Sequence, residues 1–237
     1  MSGHARLGPS SASRWLRCPY SIALAEAEDV VDRASGPAAQ AGTILHGAFE
    51  RAGVEGHVGL MADEIAELAT LGYGLDWAMP MLFDAITAWR DFCTQEKLTE
   101  VQFEQRVPCG APIGRPDFWG TADVIAWRES DRHLFVLDLK TGKWPVAPQA
   151  NDQLLSYGLG AREVVGHTPD HVTLGVIQPA VAKAVSSWTT EGETLDRFAE
   201  FVAERAALTD VLDKSTASPG TEQCRFCPAR PVCAEIF

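Results

Sequence analysis

The sequence predicts an α/β protein built on a mixed sheet, and three observations lead there. Helix-period apolar patterns fill roughly the first 98 residues. Strand-like runs follow at 101–106, 121–127 and 134–139. A helical pattern at 152–165 then separates these from another apolar strand at 171–177. Strand, strand, strand, helix, strand, preceded by helices, is the order of an α/β fold whose sheet mixes parallel and antiparallel pairs.

From the N-terminus, Ser10 or Ser11 can cap a short helix that carries Trp15 and reaches Cys18, with Pro19 just past it. The Gly/Ala/Pro stretch at 35–41 reads as a loop. Thr43 then caps a helix over 44–51 that ends near Gly53. Helices are expected over 61–71 and 75–97, the second with Pro80 in its first turns and Met81, Phe83, Ile86, Trp89 and Phe92 as apolar positions. Val101, Phe103 and Gln105 alternate with Gln102, Glu104 and Arg106, as in a half-buried strand. After a Pro/Gly/Arg connection at 108–116, the two apolar runs at 121–127 and 134–139 flank a polar turn and read as a hairpin. A short strand is expected around 185–188, a long helix over 193–212, and a Ser/Pro/Gly linker at 215–220. The chain thus divides into a helical part (1–98), a sheet core (99–190) and a C-terminal helix with a cysteine cluster (191–237), all within one domain.

Composition excludes several classes. Hydrophobic residues at 46% and charged residues at 22% are those of an ordinary globular protein. No apolar run approaches the roughly 18–20 residues of a bilayer span. Residues 1–6 lead into polar, Ser-rich sequence instead of an apolar signal segment, which predicts a cytoplasmic protein. A net charge of −12 weighs against nonspecific coating of nucleic acid, although a local basic groove can coexist with an acidic exterior.

Three of the six cysteines form Cys224-x2-Cys227-x5-Cys233, and Cys18 lies in Trp15-Leu16-Arg17-Cys18-Pro19. Without a secretion signal, a disulfide framework is not expected, and tight thiol spacing reads as metal ligation. Thiolates suit zinc or iron–sulfur, and the spacing permits either. The trio needs a fourth ligand, for which local context favours Cys18; Cys93 and Cys109 sit apart.

Asp138-Leu139-Lys140 ends an apolar strand, and its first and third residues share a face. Alone, this could be a strand-end ion pair. The hairpin changes the reading: with the loop at 129–132, positions summing to 261 face each other and Asp123 lies opposite Asp138. Two facing carboxylates repel unless a cation sits between them, and a divalent ion with oxygen ligands would do so. Pro116-Asp117 competes for the same role, but Asp117 would pair near residue 144, out of reach, and reads as a loop residue. His46 and Glu50 share a helix face, as do Gln153 and Tyr157 on the helix after the Asp-x-Lys strand.

In order, Gly42-Thr43-x-x-His46, Glu104 on a strand, Gly120-x-x-Asp123, Asp138-x-Lys140 and Gln153-x-x-x-Tyr157 resemble the motifs of RecB-like PD-(D/E)XK nucleases. The four cysteines are similar to the iron–sulfur staple of AddB and of CRISPR-associated adaptation nucleases, and Ser-Ser-x-x-Arg-Trp-x-x-Cys-Pro at the start resembles a phage-encoded branch. The resemblance implies a restriction-endonuclease-like sheet core and a metal-dependent deoxyribonuclease acting on DNA ends. It implies Asp123, Asp138 and His46, with the Leu139 carbonyl, as ligands of Mn2+ or Mg2+, and Lys140 and Glu104 as further catalytic groups. It implies Gln153 and Tyr157 along the DNA path, Tyr157 stacking on a base, and a 4Fe-4S cluster on Cys18, Cys224, Cys227 and Cys233. Arg106, Arg115, Lys143 and Arg162 are then expected to concentrate locally, and self-association or a recombination partner protein fits such nucleases. A noncatalytic DNA-binding scaffold and a zinc-stabilised interaction domain are the alternative readings.

Overall fold

The structure is a computed structural model that describes residues 5–30 and 35–235. After a single 3-10 turn (Pro9–Ser11), the elements run α1 (Ala12–Trp15), α2 (Tyr20–Ala27), α3 (Pro37–Val54), α4 (Ala62–Thr70), α5 (Leu75–Glu96), β1 (Val101–Val107), β2 (Gly120–Arg128) and β3 (His133–Leu139). Then come α6 (Asp152–Val165), β4 (His171–Ile177), β5 (Val185–Glu191), α7 (Glu193–Leu208) and α8 (Thr221–Arg225).

The expected α/β architecture is present. Among the described residues, one five-stranded sheet has the order β1-β2-β3-β4-β5. All neighbours are antiparallel except β3 and β4, which are parallel. A parallel pair needs a crossover, and α6 supplies it. Asn151 caps α6 by accepting from the Gln153 and Leu154 N–H groups, and Gly166 at φ +70° ends it.

Both sheet faces are covered. Leu45, Phe49, Leu82, Trp89 and Phe92 of α3 and α5 pack on Val124, Phe135 and Leu137. On the other face Leu7, Trp15, Leu154, Leu159, Leu195 and Val202 pack on Ile125, Leu134, Val136 and Leu174. All seven residues of β3 are buried, which is why it reads as a continuous apolar run instead of an alternation.

Several boundaries differ from expectation. The stretch at 35–41 is helical from Pro37, because Pro37 occupies the first turn after Gly36, where its missing N–H costs nothing. Pro19 does not merely stop a helix: its αR backbone starts α2, which the sequence pattern did not reveal. The helix expected to 212 ends at Leu208, and the strand expected to 188 continues to Glu191. Among the described residues, no helix is long and apolar enough to cross a membrane.

Candidate metal and thiol sites

The β2–β3 hairpin has the register in which paired positions sum to 261, as in Val124↔Leu137 and Arg128↔His133. One step further, Asp123 stands opposite Asp138, and both are buried, at 7% and 3% exposure. Each is held differently. Asp123 Oδ2 accepts the Leu139 N–H at 2.6 Å, and its Oδ1 lies 3.2 Å from His46 Nδ1. Asp138 Oδ1 accepts from Gln153 Nε2 at 2.8 Å. Its other oxygen is 2.6 Å from Lys140 Nζ, yet off the hydrogen-bonding direction, so this buried acceptor lacks an aligned donor. The Lys140 ammonium supplies the counter-charge to this buried carboxylate.

His46 comes from α3. Gly42, four residues earlier on α3, sits close to the loop after β3, where an added Cβ would lie 3.1 Å from Thr141 Oγ1. Burial opposes ionisation of His46, but the hydrogen bond to Asp123 and the charges of Asp123, Asp138 and Glu104 outweigh it and raise its pKa. Glu104 Oε1 is 3.9 Å from His46 Nδ1. Donor atoms of His46, Glu104 and Asp123 all lie within 4.8 Å of one another. Glu104 therefore belongs to the potential ligand set alongside His46, Asp123 and Asp138. Burial, then the Asp123 charge, pushes its carboxyl up to about 7.

Glu104 has φ +47° in the middle of a strand, an unusual backbone for a side chain of its size. Phe103 packs with the α3/α5 core whereas Val107 packs with the α6/α7 core, so the inward side of β1 switches across Glu104. That switch is why simple alternation did not fix where Glu104 points.

Lys140 Nζ donates to Gln153 Oε1 at 3.1 Å, and Gln153 Nε2 also lies 3.3 Å from the Tyr157 hydroxyl. Gln153 thus ties Asp138, Lys140 and Tyr157 together. Tyr157 is only 7% exposed, so its ring offers no face for the expected base stacking; its place in the site is through the hydroxyl. Gly120 is required beside it, because a Cβ would lie 2.9 Å from Tyr157 and 2.8 Å from Pro9. His46, Glu104, Leu139, Lys140 and Tyr157 line a cleft of about 920 Å³.

Asp117 lies outside this group, in the loop before β2. Arg115 grips both its oxygens at 2.9 and 2.8 Å and, with Arg6, holds its pKa below the usual carboxylate range. None of Arg106, Arg115, Lys143 and Arg162 lines this cleft, although Arg106 and Arg115 line a second pocket that shares Trp119 with it. Arg115 also pairs with Asp210, Arg162 pairs with Asp196, and Arg106 stacks 3.8 Å from the Trp119 ring centre. Sequence reading missed Gln178. Buried just past β4, its amide donates to the Gly142 and Trp144 carbonyls at 2.7 and 2.8 Å and accepts the Val146 N–H at 3.0 Å. It fixes the loop after Lys140. A single Gln after an apolar strand carries no signal of this in the sequence.

The four cysteines Cys18, Cys224, Cys227 and Cys233 line one small cavity with Tyr20, Leu24 and Ala229. The Ser218 N–H donates to Cys18 Sγ and the Gly220 N–H to Cys224 Sγ, each at 3.3 Å. Burial raises the Cys18 thiol pKa. Cys93 and Cys109 lie elsewhere, and burial pushes each thiol up to about 12.

A family model described as "Protein of unknown function (DUF2800)" matches residues 4–236. Among solved structures, the chain is similar to one described as "Crystal structure of SSO0001", at 14% identity over 91% of this chain and 94% of that chain. The TM-score of 0.33 is too low for that likeness to bear on fold or function.

Proposed function

The chain belongs to the DUF2800 family, and we propose that it is a metal-dependent DNA nuclease of the RecB-like PD-(D/E)XK type acting on DNA ends. The observation that carries this reading is the convergence of His46, Glu104 and Asp123, whose donor atoms lie within 4.8 Å of one another, beside the ion-paired Asp138 and Lys140. Three acidic groups and an imidazole form a hard oxygen/nitrogen donor set suited to Mn2+ or Mg2+, with the imidazole favouring manganese. The mutual proximity of the His46, Glu104 and Asp123 donor atoms supports the fit. A divalent ion held by these residues would supply Lewis acidity for phosphodiester hydrolysis.

The chain's own groups do the rest. His46 and the Leu139 N–H fix the Asp123 carboxylate so that its orientation is set before substrate arrives. Gln153 holds Asp138 with one end of its amide and Lys140 with the other. The Lys140 ammonium, positioned in this way, orients the attacking water and offsets charge developing on the phosphate.

A 4Fe-4S cluster on Cys18, Cys224, Cys227 and Cys233 is part of the proposal. Among the described residues, no three of these thiols lie within 4.8 Å of one another. The spacing of these thiols admits zinc as well as an iron–sulfur cluster, and the cluster is preferred here on the family resemblance of the four cysteines. Backbone N–H groups aimed at two of the sulfurs are the contacts that tune such clusters.

Anaerobically purified protein is expected to absorb broadly near about 400 nm and to degrade end-labelled DNA with Mn2+. Asp138→Ala is expected to lose the cleavage. Identical products from both proteins would end the catalytic reading in favour of a DNA-binding scaffold. A colourless protein carrying zinc would end the cluster.

A further inference from the structure

Among the described residues, Arg6, Arg14 and Lys140 are the arginine and lysine side chains that line the central cleft. Two are already committed: Arg6 to Glu26, Asp117 and Asp210, and Lys140 to Asp138 and Gln153. Arg14 is different. Its Nη1 is buried and has no hydrogen-bond partner among the described residues, and no carboxylate pairs with it there. A buried guanidinium donor left without an acceptor is rare in a folded protein and calls for a ligand that supplies one.

The backbone around Arg14 is firmly held. Trp15 is fully buried, packs edge-on against Phe118 with ring centres 5.4 Å apart, and donates its indole N–H to the Gly8 carbonyl. Arg205 of α7 donates to the carbonyls of Leu16 and Arg17 at 2.6 and 3.0 Å. Ser10 and Ser11 line the cleft beside Arg14, while α3 lines it with Gly42, Thr43 and His46. A rigidly mounted arginine thus shares a cleft with the acidic cluster.

We propose that Arg14 binds a non-scissile phosphodiester of the nucleic-acid strand lying in this cleft. The inference rests on the nuclease reading and adds to it a strand-positioning contact. A phosphate oxygen supplies both the missing acceptor and the counter-charge, in the charge-assisted geometry that guanidinium groups favour. In a chain of net charge −12, one uncommitted arginine is a large share of the local attraction for a polyanion.

The test is anisotropy of a fluorescent DNA oligonucleotide titrated with full-length protein in chelator, so that no cleavage occurs, across a range of salt. Wild type is compared with Arg14→Lys, Arg14→Gln and Arg14→Met, and each protein's thermal midpoint is recorded. Arg14→Gln and Arg14→Met are expected to bind about 10- to 100-fold more weakly and to lower the salt slope by about one. Arg14→Lys should keep the slope. Thermal midpoints should hold, and that of Arg14→Met should hold or rise because it removes an unsatisfied donor. Wild-type affinity and slope in all three variants would overturn the assignment and leave the nuclease reading standing. Loss of binding in step with lowered midpoints, Arg14→Lys included, would make Arg14 structural and overturn it too. A wild type that neither binds nor cleaves DNA would overturn both.

Discussion

Glu104 has the backbone least suited to its element, at φ +47° within β1. Such a conformation costs on the order of 1–3 kcal/mol and persists where the surroundings impose it. Glu104→Gly is therefore expected to fold with stability unchanged or raised by up to about 1 kcal/mol, measured by urea denaturation. The same variant should lose at least about tenfold in Mn2+ affinity. Unfolding of Glu104→Gly well below the wild-type midpoint would show that its side chain, not its backbone, maintains β1. The site also sets a pH dependence. Burial and the Asp123 charge raise Glu104 from 4.5 to about 7, so between those values the folded, metal-free chain holds a proton that the unfolded chain has lost. Stability then rises as pH falls through that window, and the cost of the buried charge is fully present above it. His46, also raised, acts with the same sign: its stabilisation is present below its unfolded pKa and lost as pH rises through its folded one. Chelator-treated protein should melt higher near about pH 5.5 than near about pH 8, and Glu104→Gln should flatten the difference. Because binding must displace these protons, Mn2+ affinity should climb over the same range.

Two contacts between elements position the site. Gln178, past β4, makes three hydrogen bonds to the loop that follows β3. Gln178→Leu keeps the bulk but leaves the Gly142 and Trp144 carbonyls and the Val146 N–H without their partner. The expected loss is about 1–3 kcal/mol, with faster amide exchange confined to residues 141–147. Exchange unchanged in that loop would show that it is held by other contacts. Gly120 is where Pro9, β2 and Tyr157 of α6 meet. A Cβ at 2.8 Å from Pro9 and 2.9 Å from Tyr157 has no room, and both neighbours are stiff rings. Gly120→Ala is expected to cost about 1–3 kcal/mol by overpacking, read as a lower denaturation midpoint, and to weaken the proposed DNA cleavage by shifting the Tyr157–Gln153 contact.

At the scale of the whole molecule, the N-terminal segment and the C-terminal tail meet. The Ser218 N–H reaches Cys18 Sγ across 200 residues of sequence, and Arg17 pairs with Glu222. Arg205 and Arg6 add contacts from α7 and the segment after it to the N-terminal segment. The sheet core does not depend on the thiols, since its two apolar clusters contain none of the four. Cys18→Ser is therefore expected to leave the far-ultraviolet spectrum intact. It should make the chain after about residue 212 the first cut in limited proteolysis, because closing so long a loop is what a cross-link at these ends achieves. Proteolysis beginning in the sheet would contradict this division.

Much of this was legible in the sequence because it is local. Two apolar runs, the polar turn between them and a two-residue side-chain period together set Asp123 against Asp138 and kept Asp117 in its loop. The order of strands and the helix between β3 and β4 dictated a mixed sheet. Other features depend on partners distant in the chain. Pro37 opens a helix because its N–H is not needed there, and the Gly/Ala/Pro composition around it hides this. Arg115 and Arg162 are drawn into ion pairs with Asp210 and Asp196, so the cleft lacks them. Tyr157 lines the cleft but is packed by its neighbours, so little of its ring is exposed. The sequence by itself determined which residues share a strand or a helix face, since the backbone period does that. Only the tertiary structure decided that Glu104 turns in beside His46, that Gln178 braces the loop after Lys140, and that Arg14 is left unpaired. Those outcomes depend on which groups at long range satisfy one another's charge and hydrogen bonds, and no local pattern carries that information.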